Sequence, residues 1–141
     1  MSHPPLERIS SQLTIFKDIS TVTVTGFLGS EYIDKVLDGR TSTESSAALN
    51  IPGEVDRVYM RIGQDTTSVL QDWKPRFDVV RDKFEDTVVW NPWAEKAAAM
   101  ADFGPKDGWK HMLCVETGTV NEWQKLEPGD TYEAGQVMRA F

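Results

Sequence analysis

An antiparallel β-sandwich carrying one short inserted helix is the architecture this sequence predicts. Three observations lead there. Short runs rich in Val, Thr, Ile and aromatic residues recur along the chain, each closed by Gly, Pro, Asn or Asp, the pattern of strands and turns. Thr21-Val22-Thr23-Val24-Thr25 alternates strictly at period two, as a strand with one buried face does. A single stretch, between Pro92 and Phe103, is dense in strong helix formers, so strands must supply the layers.

Met1 to Gln12 is polar, contains Pro4-Pro5 and has no clean periodicity, which predicts a loose arm. Ile19 to Phe27 is the first half-buried strand, punctuated by Gly26, Gly29 and Ser30. Glu31 to Gly39 fits either a short extended piece or a helical face through Tyr32, Ile33, Val36 and Leu37. Arg40 to Ala48 is rich in Ser and Thr and predicts an exposed loop, with a turn at Asn50 to Gly53. Asp56 to Ile62, Thr66 to Trp73 and Arg76 to Asp82 follow as strands, the last two separated by Lys74-Pro75.

The stretch from Asp86 to Gly118 organises the rest. Thr87-Val88-Val89-Trp90 favours an extended backbone. Asn91 is placed to cap a helix and Pro92 suits its first position. Trp93 to Asp102 predicts the helix, and Phe103-Gly104-Pro105 its end, with Gly104 as a left-handed cap. His111 to Gly118 then predicts a strand that delivers Glu116 near its end. Glu127-Pro128-Gly129-Asp130 is a type II turn signal, predicting a hairpin between Glu122–Leu126 and Tyr132–Met138. The tally is about eight short strands and one helix.

The composition narrows the functions open to this chain. A hydrophobic fraction of 40% with five Trp and six Phe in 141 residues supports a packed domain. A formal net charge of -7, without a Lys/Arg-rich run, argues against a grip on nucleic acid phosphates. Cys114 is the one cysteine, which excludes an internal disulfide and suits a reducing compartment. Its place in an apolar strand predicts a buried, inert thiol. No apolar run approaches the ~20 residues of a membrane span, and the N-terminus lacks a signal-like apolar core, so a cytoplasmic protein without membrane contact is expected. His3 and His111 are the only histidines, and His111-x-x-Cys114 alone does not make a zinc site. No metal or cofactor is expected. No phosphate-cradling glycine loop or nucleophile elbow is present. What remains is a pair of carboxylates at strand ends, Asp56 and Glu116, among aromatics.

Those residues sit in recognisable surroundings. Asp86-Thr-Val-Val-Trp-Asn-Pro-Trp93, the Lys96–Phe103 segment ending Met-Ala-Asp-Phe, and Met112-Leu-Cys-Val-Glu-Thr-Gly118 resemble the C-terminal signature of the glucose-6-phosphate 1-epimerases. These are hexose-6-phosphate mutarotases, a branch of the aldose 1-epimerase or galactose mutarotase superfamily. Gly53-Glu-Val-Asp-Arg-Val-Tyr59 is similar to a second family segment, and Pro128-Gly129 to the last family hairpin. The resemblance runs from about Leu13 to the end, so residues 13–141 look like the C-terminal half of such a domain and residues 1–12 like a non-family arm.

The resemblance implies a β-sandwich of galactose mutarotase type. It implies exchange of the α and β anomers of a hexose 6-phosphate by acid–base ring opening, without metal or nucleotide. Acid and base must then stand on opposite sides of C1 and O5 within hydrogen-bond reach, and the base carboxylate works best with a proton affinity raised by partial burial. Carried over, Glu116 is the general base and Asp56 holds sugar hydroxyls. Trp90 and Trp93 suit either stacking on a sugar or core packing. Arg57 suits either a phosphate contact or a solvated strand edge. The family histidine, in a His-Thr-Tyr segment, falls near Ser10, where this chain reads Ile9-Ser10-Ser11-Gln12. The family's phosphate-binding arginines lie further upstream and have no counterpart here. Impaired catalysis, a non-catalytic sugar- or phosphosugar-binding module, and an inactive fragment that self-associates through exposed strand edges are the outcomes this predicts.

Overall fold

Residues 13–141 are described by a computed structural model; the arm expected over Met1–Gln12 lies outside the described residues. Eleven strands run β1 Leu13–Ile15, β2 Val22–Thr25, β3 Glu31–Asp34, β4 Arg40–Thr43, β5 Ala48–Asn50, β6 Val55–Met60, β7 Thr66–Gln71, β8 Lys74–Asp82, β9 Asp86–Asn91, β10 Met112–Gly118 and β11 Gly135–Ala140. They form two antiparallel sheets, ordered β1-β10-β9-β6-β3-β4 and β11-β8-β7-β2-β5. One helix, α1 (Trp93–Ala99), follows β9. The predicted sandwich is the observed one.

The core lies between the sheets because β-branched residues alternate inward from both. Val55, Tyr59, Val89, Leu113 and Val115 come from the first sheet and Val22, Val24, Val69, Phe77 and Val79 from the second. Phe27 stacks flat on Tyr59 with ring centroids 3.9 Å apart. Each buried Val or Phe contributes about 1.5–3 kcal/mol relative to exposure. A charge also lies in this layer. The buried Arg81 guanidinium donates to Thr67 Oγ1 at 2.5 Å and to the Gln64 carbonyl at 2.5 Å.

Several local expectations are corrected. Glu31–Gly39 resolves to strand β3 and a tight turn, with Asp38 and Gly39 at φ 55° and 75°. Arg40–Thr43 is not loop but edge strand β4, fully exposed yet paired with β3; an edge tolerates a polar sequence that propensity assigns to a loop. Asn50 ends β5 rather than opening a turn. The β7–β8 hairpin turns at Asp72-Trp73, both at positive φ, and Lys74-Pro75 already belongs to β8 beside an irregularity at Val69/Leu70.

The helix stops at Ala99, short of Asp102, because Met100 turns extended. The Lys106 ammonium takes the freed carbonyls of Ala97 and Met100, so Gly104 is not needed as a left-handed cap and is not among the positive-φ glycines. Asn91 does serve the helix start, its Oδ1 accepting Trp93 N–H at 2.8 Å, though Pro92 occupies the cap position itself. The Glu127–Asp130 turn forms, with Gly129 at φ 93°. Its arms do not make a hairpin: Glu122–Leu126 is not strand, and β11 pairs with β8 in the other sheet.

Asp86 ties the far end of the first sheet together. Buried at the start of β9, it accepts from Arg61 N–H at 3.2 Å, Val120 N–H at 2.9 Å and Asn121 N–H at 2.8 Å. Replacing it with alanine strands three backbone donors, and hydrogen bonds to a charged group contribute about 1.5–3 kcal/mol each. Asp86→Ala is expected to lower unfolding free energy by about 2–4 kcal/mol, read as a shifted urea midpoint at unchanged slope.

Candidate active site

Register decides which side chains share a face. In the first sheet Asp56 stands opposite Trp90, and Trp90 opposite Cys114. One step along, Arg57 pairs with Val89 and Val89 with Val115; one step further, Val58 pairs with Val88 and Val88 with Glu116. Successive residues of a strand point to opposite faces. Val89 and Val115 belong to the core. Asp56, Trp90, Cys114, Val58, Val88 and Glu116 therefore share the face turned away from the second sheet. Strand spacing and rise place the Cα atoms of Asp56 and Glu116 about 12 Å apart across this face, with the half-buried Trp90 and Val88 between them.

Both carboxylates are half-buried, and neither makes a hydrogen bond or ion pair among the described residues. Other sheltered carboxylates are spent. Asp34 accepts from Val36 N–H at 3.0 Å and lies 3.4 Å from Arg57 Nε. Glu44 accepts from Ser46 N–H, Arg57 and the Tyr59 hydroxyl, the last at 2.6 Å. Both keep access to solvent, so their oxygens stay free to accept from a hydroxyl-bearing ligand laid on this face. Burial first of all pushes the Asp56 carboxyl above its usual range, with Glu54 and Asp34 adding to it and Lys35 and Lys96 pulling it back.

Of the other residues singled out from sequence, Trp90 lies on this face. Trp93 does not join it: it packs against the core and tilts onto Trp109 at 4.5 Å. Arg57 is carried to the opposite face by the pleat. There it bridges Asp34 and Glu44 and lies over the Tyr32 ring, 4.4 Å from its centroid. It is thus neither a solvated edge residue nor beside Glu116. Cys114 is buried as expected, and burial, with Glu116 nearby, raises its thiol to about 11. His111, the one histidine among the described residues, sits with Nδ1 2.7 Å from the Lys17 carbonyl oxygen. No cluster of metal-ligating residues occurs among the described residues, and no helix there is long and apolar enough to cross a membrane. Sequence reasoning missed Lys35 and Lys96, which approach Asp56 only through the β3–β6 pairing and the return of α1.

The sandwich is that of the mutarotases. It superposes on the crystal structure of a putative mutarotase from Salmonella typhimurium with a TM-score of 0.68 and 31% identity, over 76% of this chain and 36% of that one. The crystal structure of HI1317, at 21% identity, shares the fold with a TM-score of 0.70 over 91% of this chain and 43% of that one. The chain belongs to the aldose 1-epimerase family, whose sequence profile matches residues 10–139. Two relatives carry the name "Putative glucose-6-phosphate 1-epimerase". The Cenchrus ciliaris protein is 37% identical over 123 residues, which is 87% of this chain and 37% of that protein. The Escherichia coli K12 protein is 35% identical over 141 residues, which is 98% of this chain and 47% of that protein. The chain thus spans less than half the length of these relatives.

The raised Asp56 carboxyl has a consequence for stability. The folded chain holds that proton more tightly than the unfolded chain, so ionising Asp56 costs stability as pH climbs from 3.8 through the folded value. Asp56→Asn is expected to raise the melting temperature at pH 7, with the gain shrinking as pH falls through the folded value and vanishing below 3.8. Melting curves across that range check it; an equal gain at every pH would assign the effect to something other than charge.

Proposed function

We propose that this chain acts at the anomeric carbon of a hexose 6-phosphate such as glucose 6-phosphate, with Glu116 as general base and Asp56 as ligand to the sugar hydroxyls. One observation carries the reading: in a member of the aldose 1-epimerase family, the two partner-free carboxylates of the sheet face are these two. Trp90 lies between the strands that bear them and offers an apolar platform for the C–H face of a pyranose.

Glu116 takes the proton of the C1 hydroxyl as the C1–O5 bond breaks, and O5 collects a proton from an acid. The open-chain aldehyde turns about C1–C2. Reclosure reverses both transfers, returning the proton from Glu116 to O1 on the other face. No described histidine faces this site to protonate O5, and Ser10, at the position of the family histidine, lies outside the described residues. The proton for O5 then comes from water or from a group outside residues 13–141, and exchange is slow. A reducing cytoplasmic setting suits the single thiol.

The absence of a described acid also favours a second reading, a phosphosugar-binding module that binds without turnover. Two-dimensional NMR exchange on glucose 6-phosphate separates the two. Acid–base groups typically supply about 10²–10⁴-fold, so Glu116→Gln is expected to erase most of the exchange above the rate in buffer. A Glu116→Gln chain as fast as the parent removes Glu116 from the mechanism. A parent no faster than buffer, yet binding the sugar by calorimetry, establishes the module.

A further inference from the structure

We propose that a cleft at the end of the sandwich, where two connections cross between the sheets, is a separate binding site that takes a neutral pyranose unit. The inference goes beyond the reading of Glu116 and Asp56 and does not rest on it.

One connection leads from β2 to β3 through Leu28, Gly29 and Ser30, the other from β6 to β7 through Arg61, Gly63 and Gln64. Between them lies a cleft of about 340 Å³, at the small end of the ~300–1,000 Å³ typical of small-molecule sites. The buried Met60 also lines it. Met60 closes β6, about 13 Å along the strand from Asp56.

One side chain points to a ligand. Ser30 is only 8% exposed and lines the cleft. Its backbone is committed, the N–H donating to the Phe27 carbonyl and the carbonyl accepting from Glu44 N–H, both at 2.9 Å. Its hydroxyl makes no hydrogen bond among the described residues. No fully enclosed side-chain oxygen there lacks a partner, so this hydroxyl keeps a narrow opening, and the cleft supplies it. A sheltered hydroxyl that both donates and accepts is ready for a hydroxyl of a ligand.

The facing wall is held from behind. Arg61 has a left-handed backbone, φ 45°, and its N–H donates to the buried Asp86 at 3.2 Å. The buried Arg81 donates from its guanidinium to the Gln64 carbonyl and from its N–H to the Asp65 carbonyl. Two buried charges thus grip one short connection and draw its carbonyls inward. The N–H groups of Gly63 and Gln64, both exposed residues, make no hydrogen bond among the described residues and stay available as donors. A wall fixed in advance loses little freedom on binding.

The charge pattern selects a neutral ligand. Glu31 and Arg61 pair across the rim at 2.9 Å, so neither presents an uncompensated charge. The pair uses Glu31 Oε2 and leaves Oε1 to accept, while Arg61 keeps further N–H groups to donate. A carboxylate beside a guanidinium can serve two neighbouring hydroxyls, one donating to Glu31 and the other accepting from Arg61. Leu28, 52% exposed, and Met60 offer apolar surface to the C–H groups of a ring. An uncharged polyhydroxylated ring uses all of these groups; an anion would meet Glu31 as a like charge.

NMR titration of the nitrogen-15-labelled full chain with methyl β-glucoside tests this, because a glycoside has no anomeric hydroxyl to exchange. The amide signals of Ser30, Gly63 and Gln64 are expected to shift saturably. Ser30→Ala should weaken that binding about 3–10-fold, as loss of one hydrogen bond does. At Gly63 an added Cβ would meet no atom within 4 Å, so Gly63→Leu should fill the cleft and abolish the shifts while the rest of the spectrum stays that of the folded parent. Glu116→Gln should leave the shifts unchanged. No saturable shift at these amides in the parent, or shifts that survive in Gly63→Leu, overturns the site without touching the Glu116 reading. Shifts lost in Glu116→Gln place the sugar on the sheet face and overturn the separate site. Shifts with inorganic phosphate but not with the glycoside overturn the assignment to a neutral sugar.

Discussion

The pleat shared by β6, β9 and β10 is the constraint on which the rest depends. These three strands are bonded in one unbroken register from Val55–Asn91 to Thr117–Thr87. A slip of one residue in any of them would turn Asp56 or Glu116 into the core and push Val89 or Val115 out of it. The apolar rows therefore do more than stabilise the sandwich. By insisting on being inside, they fix the carboxylates outside, on one surface and at one separation. The geometry of this face is inherited from the core.

Polar bookkeeping divides the molecule in the same way. On the inner side, Arg57, Asp34, Glu44 and Tyr59 satisfy one another, and burial with the Glu44 contact raises the Tyr59 hydroxyl, keeping it a donor. Asn91, fully buried, spends its amide on the carbonyls of Trp109 and Met112 at 2.8 Å each. No buried side-chain nitrogen or oxygen among the described residues lacks a partner. Partner-free Asp56 and Glu116 are half-open to solvent instead. A fold that settles its interior polar groups so thoroughly leaves those two conspicuous.

Much of this was legible in the sequence. Alternation at Thr21–Thr25 and the runs at Thr87–Trp90 and Met112–Gly118 were local signals for strands, and Glu116 was readable as strand-borne from its neighbours alone. Arg40–Thr43 was not, because its extended state comes from pairing with β3 rather than from its own residues. The destination of Arg57 was hidden for a related reason: adjacency to Asp56 in sequence means the opposite face in a strand, and Glu44, which receives it, lies thirteen positions away. Lys35 and Lys96 carry no motif; only long-range pairing brings them beside Asp56. The helix end is hidden from the sequence because Met100 turns extended ahead of the glycine, and Lys106, beyond it, takes the freed carbonyls.

Cys114 lies on the same face as Glu116 and Trp90, and its thiol loses its proton only near 11. Sulfur reacts with peroxide and with disulfides as the thiolate, a form nearly absent here at neutral pH. Burial that withholds the thiolate also shuts the sulfur away from solvent, so Cys114 serves this face as inert packing rather than as a redox group.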